Sequence, residues 1–222
     1  MGSLSHAWWG LVRFGFRLLY NEMAFTYDLV SSVVSLGSWR CWQRAVLNHL
    51  EIPKDGIVLE LAHGTGNLQI DLHAAGYQHC IGYDLSPYMG RIAQMKLHRL
   101  RLPVKLVRGR AQQLPFSEAR FDAVISTFPT DFIVAPETLQ EVHRVLKPEG
   151  QFIIVPNGIL TGGGAVEGGL EWLYRITGQR GGEPGRSIDD FLRPYGFTAE
   201  VFTERCPRSV AQVIVARKRD IG

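Results

Sequence analysis

Four residues can do chemistry together: Glu60, Gly64, Gly66 and Asp84. The stretch Val58-Leu59-Glu60-Leu61-Ala62-His63-Gly64-Thr65-Gly66-Asn67 reads as a buried strand, a glycine turn and the start of a helix. Eighteen residues past Gly66, a second strand, Cys80-Ile81-Gly82-Tyr83-Asp84, ends in a carboxylate. A glycine turn after one strand and an acid at the tip of the next form a crevice for a nucleoside. Glycine lets backbone approach a ligand closely, and Asp84 can accept hydrogen bonds from two ribose hydroxyls.

The spacing excludes two common nucleotide sites. In the dinucleotide fingerprint a third glycine follows the second by three residues; counting from Gly64, that position is Gln69, and counting from Ala62 it is Asn67. No Lys-Ser or Lys-Thr follows the turn, so a phosphate-cradling P-loop is excluded as well. Glu60 would repel a pyrophosphate. It suits a nucleoside that carries an ammonium group and no phosphate, which is the description of S-adenosylmethionine.

The chain resembles the class I S-adenosylmethionine-dependent methyltransferases. Their acid-and-glycine motif stands here as Glu60-Leu61-Ala62-His63-Gly64-Thr65-Gly66, and their acidic second motif as Gly82-Tyr83-Asp84-Leu85-Ser86-Pro87. Three more follow in order: Gly109-Arg110-Ala111-Gln112-Gln113-Leu114-Pro115-Phe116, Phe121-Asp122-Ala123-Val124-Ile125-Ser126, and Glu141 through Gly150. The resemblance covers roughly residues 56 to 157. It implies a cofactor site made of Glu60, Ala62, Gly64, Gly66, Asp84, Leu85, Met89, Ala111, Gln112 and Thr127. Two residues depart from the pattern. Ala62 replaces the first glycine, where a methyl is tolerated if the backbone angle is ordinary. Arg110 replaces an acid that in many relatives holds the adenine amino group. The segment Phe25 to Trp42 is similar to the N-terminal part of the ubiquinone/menaquinone-biosynthesis C-methyltransferases, in which the tyrosine, here Tyr27, lies over the cofactor.

The elements that must position these groups alternate strand and helix from residue 56. Strands are expected near 57–61, 79–83, 104–108, 121–126, 151–155, 197–203 and 210–216, and helices near 66–75, 88–99, 136–146 and 187–194. That order predicts an α/β fold: a Rossmann-like, seven-stranded, mostly parallel sheet with helices on both faces and a C-terminal antiparallel hairpin. Residues 1–55 form an N-terminal helical cap, and 56–222 form the cofactor-binding domain. Residues 8–21 read as a helix whose aromatics and arginines suit either a core cover or a membrane interface. Ten glycines between 156 and 186 mark a lid, with a short amphipathic helix at Leu170–Ile176.

Composition narrows the function classes. The 222 residues are 45% apolar and 20% charged, ordinary for one globular domain. A net charge of +3 does not argue for nucleic acid. Seven basic residues, Arg91, Lys96, Arg99, Arg101, Lys105, Arg108 and Arg110, read as a solvated helix face, or as a face meeting anionic lipid. Cys41, Cys80 and Cys206 have no disulfide or metal spacing, which suits a reducing compartment and no bound metal. With neither a signal peptide nor a membrane span in the pattern, the expected location is the cytoplasm, at the inner face of the membrane if the N-terminal helix is interfacial.

Methyl transfer is an in-line displacement, so the protein must align nucleophile, methyl and sulfur. The candidate catalytic residues are Tyr27, His63 and Asp131. The expected enzyme methylates a lipophilic small molecule, a quinone precursor or phospholipid-like acceptor. Two alternatives remain open: a soluble natural-product or small aromatic methyltransferase, and a non-catalytic cofactor-binding protein. Oligomeric state is not readable from the residues.

Overall fold

The computed structural model describes residues 26–161 and 187–219. The expected helix over 8–21, and the lid beyond residue 161 with its helix at Leu170–Ile176, lie outside the described residues.

Among the described residues eight strands form one sheet: β1 (Ile57–Leu61), β2 (His79–Asp84), β3 (Leu106–Arg108), β4 (Phe121–Thr127), β5 (Leu146–Val155), β6 (Gly158–Leu160), β7 (Phe197–Cys206) and β8 (Ser209–Lys218). The described residues also form the α-helices α1 (Tyr27–Val34), α2 (Trp39–Arg44), α3 (Asn67–Ala74), α4 (Pro87–Arg99), α5 (Pro136–Val145) and α6 (Ile188–Leu192). The strand order is β3-β2-β1-β4-β5-β8-β6, with β7 paired to the other side of β8. Strands β1 to β5 pair in parallel, and β8 runs antiparallel to β5, β6 and β7. This is the expected fold with seven of its strands where the alternation placed them. The eighth, β6, is three residues long and arises from the first part of the glycine-rich segment.

Strand alternation explains the two cores. Along β4 and β5, Ala123, Ile125, Ile153 and Val155 face a layer with Leu68 and Leu72 of α3 and Trp42 of α2. Phe121, Val124, Phe152 and Ile154 face the opposite layer with Leu139 and Val142 of α5. Successive strand side chains point to opposite faces, so each parallel strand is apolar on both sides. Glu60 falls on the α3 side by the same rule, since it is two residues from Val58 in that core.

One expectation is overturned. Cys41 and Cys206 form a disulfide across 165 residues, with Cα atoms 5.9 Å apart. Sequence spacing gave no sign of it because α2 and the end of β7 are brought together only by the folded topology. Cys80 is the free, buried cysteine. Among the described residues no group of side chains could hold a metal ion, and no helix is long and apolar enough to cross a membrane.

Candidate active site

The site grows from the carboxyl ends of β1, β2 and β4, the place where parallel α/β sheets bind ligands. After β1 the chain turns left-handed three times. Ala62 has φ 56°, Gly64 φ 53° and Gly66 φ 78°. Gly66 has a second constraint: a Cβ there would lie 2.8 Å from the Cβ of Ala93 on α4. The Ala62 angle corrects the sequence reading, which required an ordinary one. A methyl-bearing residue is held in a strained conformation where the family places glycine, and the Ala62 N–H donates to the Tyr83 carbonyl at 2.7 Å.

Asp84 is tied to this turn. Its Oδ2 accepts from the Gly64 N–H at 2.9 Å and its Oδ1 from the Ser86 N–H at 2.7 Å. Each oxygen keeps further acceptor capacity for a diol. Ser86 also caps α4, accepting from the Met89 N–H, and so sets the helix on which Met89 is buried. Leu85 is 57% exposed beside it. Ala111 packs on the core and Gln112 is exposed. Gly109 has no room for a side chain, because a Cβ would fall 1.9 Å from the Tyr83 hydroxyl.

Glu60 is fully buried, and its Oε2 accepts from Gln69 Nε2 at 2.6 Å. Its Oε1 has no protein partner. Burial pushes the carboxyl up, against the Gln69 hydrogen bond, and the charges of Asp84 and Asp71 push the same way, to about 8. An orphaned carboxyl oxygen under a glycine turn fits a cationic ligand group, which would draw the proton off. The residues present therefore fit S-adenosylmethionine: glycines beside its amino-acid end, Asp84 for its ribose, Glu60 for its ammonium.

Tyr27, Trp39, Gln43, Ala62, His63, Gly64, Thr65, Asn67, Thr127 and Phe128 line one crevice. Of the expected catalytic residues, Tyr27 and His63 are in it and Asp131 is not. Asp131 is exposed at the start of a one-turn helix, Asp131–Val134. His63 is 3% exposed and its Nδ1 donates to the Gly64 carbonyl at 2.8 Å. Burial holds its pKa below the ordinary value despite the nearby Asp84. Its ring also packs where a side chain on Gly82 would be, 2.9 Å from a Cβ there. His63 thus braces the turn against β2.

Sequence reasoning placed Tyr27 at the site but missed Trp39 and the stacking that makes an aromatic wall. Trp39 and Phe128 stack with centroids 3.8 Å apart, and Tyr27 meets Trp39 edge-on at 6.0 Å. Phe128 has φ 51°, a strained angle for a bulky residue. Gln43 joins this wall to β4 by donating to Thr127 Oγ1 at 3.3 Å. Also missed was Asp28, which accepts from Thr65 Oγ1 at 2.6 Å, from Asn67 Nδ2 at 2.9 Å, and from Lys96 Nζ. Lys96 was expected on a solvated basic face; it pairs instead with the cap. The signal for Asp28 and Trp39 was weak, since nothing in either residue announces what lies opposite.

The geometry is that of a class I methyltransferase fold. Residues 58–150 match the family model described as "Methyltransferase domain". The chain is 32% identical to the ubiquinone/menaquinone biosynthesis C-methyltransferase of Blochmanniella pennsylvanica, over 67% of this chain and 65% of that protein. It spans 58–65% of the length of this and the other first curated relatives it matches. A solved S-adenosylmethionine-dependent methyltransferase of Thermotoga maritima has the same fold, with a TM-score of 0.62 at 19% identity, covering 88% of this chain and 96% of that one. A second is a phosphoethanolamine N-methyltransferase of Haemonchus contortus, solved with a methylated phosphoethanolamine and S-adenosylhomocysteine. Its TM-score is 0.59 at 18% identity, over 82% of this chain and 53% of that one.

Proposed function

We propose that this chain is an S-adenosylmethionine-dependent methyltransferase acting on a lipophilic small molecule, with a quinone precursor as the leading acceptor. The observation that carries the reading is the aromatic wall of Trp39, Phe128 and Tyr27 beside the glycine turn. Apolar, flat side chains beside a cofactor site favour an apolar, flat acceptor. The relatives named for quinone methylation support it. The cofactor brings the activated methyl, and the protein contributes alignment and exclusion of water.

Asp84 and the turn hold the nucleoside, and Glu60 the ammonium. Tyr27 and Trp39 close the crevice from above. His63, donating to the Gly64 carbonyl, shapes the turn; Tyr27 is the ionisable group on the wall where the acceptor would sit. Peripheral contact with anionic lipid remains part of the proposal, since such an acceptor resides in a bilayer.

Incubation of the full chain with methyl-labelled S-adenosylmethionine and a lipid extract tests this. Label in a prenylated quinone is the predicted product. Label confined to water-soluble acceptors would favour a natural-product or small aromatic substrate, and no label with any fraction would favour a non-catalytic binding protein.

A further inference from the structure

Cys41 sits on α2 between Trp39 and Gln43, two residues that line the cofactor crevice. Cys206 ends β7, at the tip of the C-terminal hairpin. Their bond is one of a row of ties between the cap and that hairpin. Ser38 Oγ donates to the Pro207 carbonyl at 3.2 Å, Trp42 Nε1 donates to Ser209 Oγ at 2.9 Å, and His49 and Asn48 meet Glu204 at 2.8 Å. On its other side the cap is held by ions: Asp28 to Lys96, and Arg40 to Asp71 at 2.8 Å. The crevice wall therefore hangs between a covalent tie with its hydrogen bonds on one side and ion pairs on the other.

We propose that the Cys41–Cys206 pair is a thiol–disulfide control site that sets how tightly the cap closes over the cofactor crevice. Both cysteines are only partly buried, so a dithiol reductant can reach them. One reductant thiolate attacks one sulfur of the bond, and the other sulfur leaves as a thiolate and takes up a proton. The second reductant thiol then resolves the mixed disulfide. The protein gains two electrons and two protons, and the dithiol becomes a disulfide. Cys80 does not compete in the exchange. It is buried, and burial first, with the Glu60 charge, pushes its thiol up to about 12.

Reduction loosens the cap without releasing it. Trp42 stays wedged against β6, where a Cβ on Gly158 would fall 2.0 Å from its ring, and the hydrogen bonds to the hairpin persist. The proposal rests on this crevice being the cofactor site.

The test is calorimetric titration of the full chain with S-adenosylhomocysteine after exposure to oxidised glutathione and, separately, in dithiothreitol buffer in which alkylation counts the Cys41 and Cys206 thiols as free, with far-UV circular dichroism confirming the fold in each. The expected result is affinity about tenfold weaker in the reduced buffer, with Cys41→Ser and Cys206→Ser showing the weaker value in both. Equal, measurable affinity in the two buffers would overturn the redox proposal and leave the cofactor reading standing. Three alkylatable thiols after exposure to oxidised glutathione would overturn it too. Binding in neither buffer would overturn both.

Discussion

The Thr65 hydroxyl donates to the Asp28 carboxylate at 2.6 Å, joining the first turn of α1 to the middle of the glycine turn. The same carboxylate accepts from Asn67 and pairs with Lys96 on α4. One side chain thus links the cap, the turn and the helix that carries Met89. The cofactor site is complete only when these three meet.

Replacing Asp28 should therefore act on binding. Hydrogen bonds to a charged group are worth about 1.5–3 kcal/mol each, so Asp28→Ala should weaken S-adenosylhomocysteine binding by about tenfold or more, and Asp28→Asn by less. Burial alone would raise the Asp28 pKa, but the bonds from Lys96, Thr65 and Asn67 outweigh it and hold the carboxyl below its ordinary 3.8. A lowered carboxylate stabilises above its unfolded pKa and stops doing so as pH falls through the folded one. The latch should persist across neutral pH and fail only below about 4, which affinity measured against pH would show.

Glu60 has the opposite sign. Its ordinary value of 4.5 is raised to about 8 in the fold. Between those values the native state keeps a proton that the unfolded state has lost. Stability from this group is therefore largest below 4.5, falls by about 1.4 kcal/mol per pH unit across the window, and is level above 8. Urea unfolding of wild type and Glu60→Gln at pH 5 and pH 8 checks this: the variant should gain on the wild type as pH rises. A difference independent of pH would show Glu60 ionised throughout.

Ala62 is strained by its left-handed angle. Relief of about 1–2 kcal/mol, less about 0.5–1 kcal/mol of glycine entropy, makes Ala62→Gly stabilising by a net ~0.5–1 kcal/mol. Gly66→Ala should do the reverse and more, because its Cβ would strike Ala93. Chemical denaturation of both variants reads the two signs.

The disulfide closes a loop of more than 160 residues. Its loss should cost about 2–5 kcal/mol of global stability, visible as a lower denaturation midpoint for Cys206→Ser. That loss is measured without ligand and is separate from the change in affinity.

The sheet was legible because burial on both faces writes near-continuous apolar runs such as Val58-Leu59 and Phe152 to Val155. The turn was legible because Gly64, Gly66 and Asp84 serve a ligand through backbone and a strand tip, where sequence spacing and spatial spacing agree. The cap was not. Asp28 meets Thr65 across 37 residues, and Cys41 meets Cys206 across 165. Such contacts depend on how a helix pair docks on a finished sheet, and no local period encodes that. Asp131 follows β4 as its spacing indicated, but it is exposed, and Phe128 rather than Asp131 lines the crevice.

The most direct measurement is calorimetric titration of S-adenosylhomocysteine into the wild type and an Asp84→Ala variant. Asp84 is the residue that ties the second strand to the glycine turn and has acceptor capacity left for the ribose. One-site binding to the wild type, weakened at least about tenfold in the variant, is the predicted result. No binding to the wild type, or equal binding to both, would contradict the assignment of this crevice as the cofactor site.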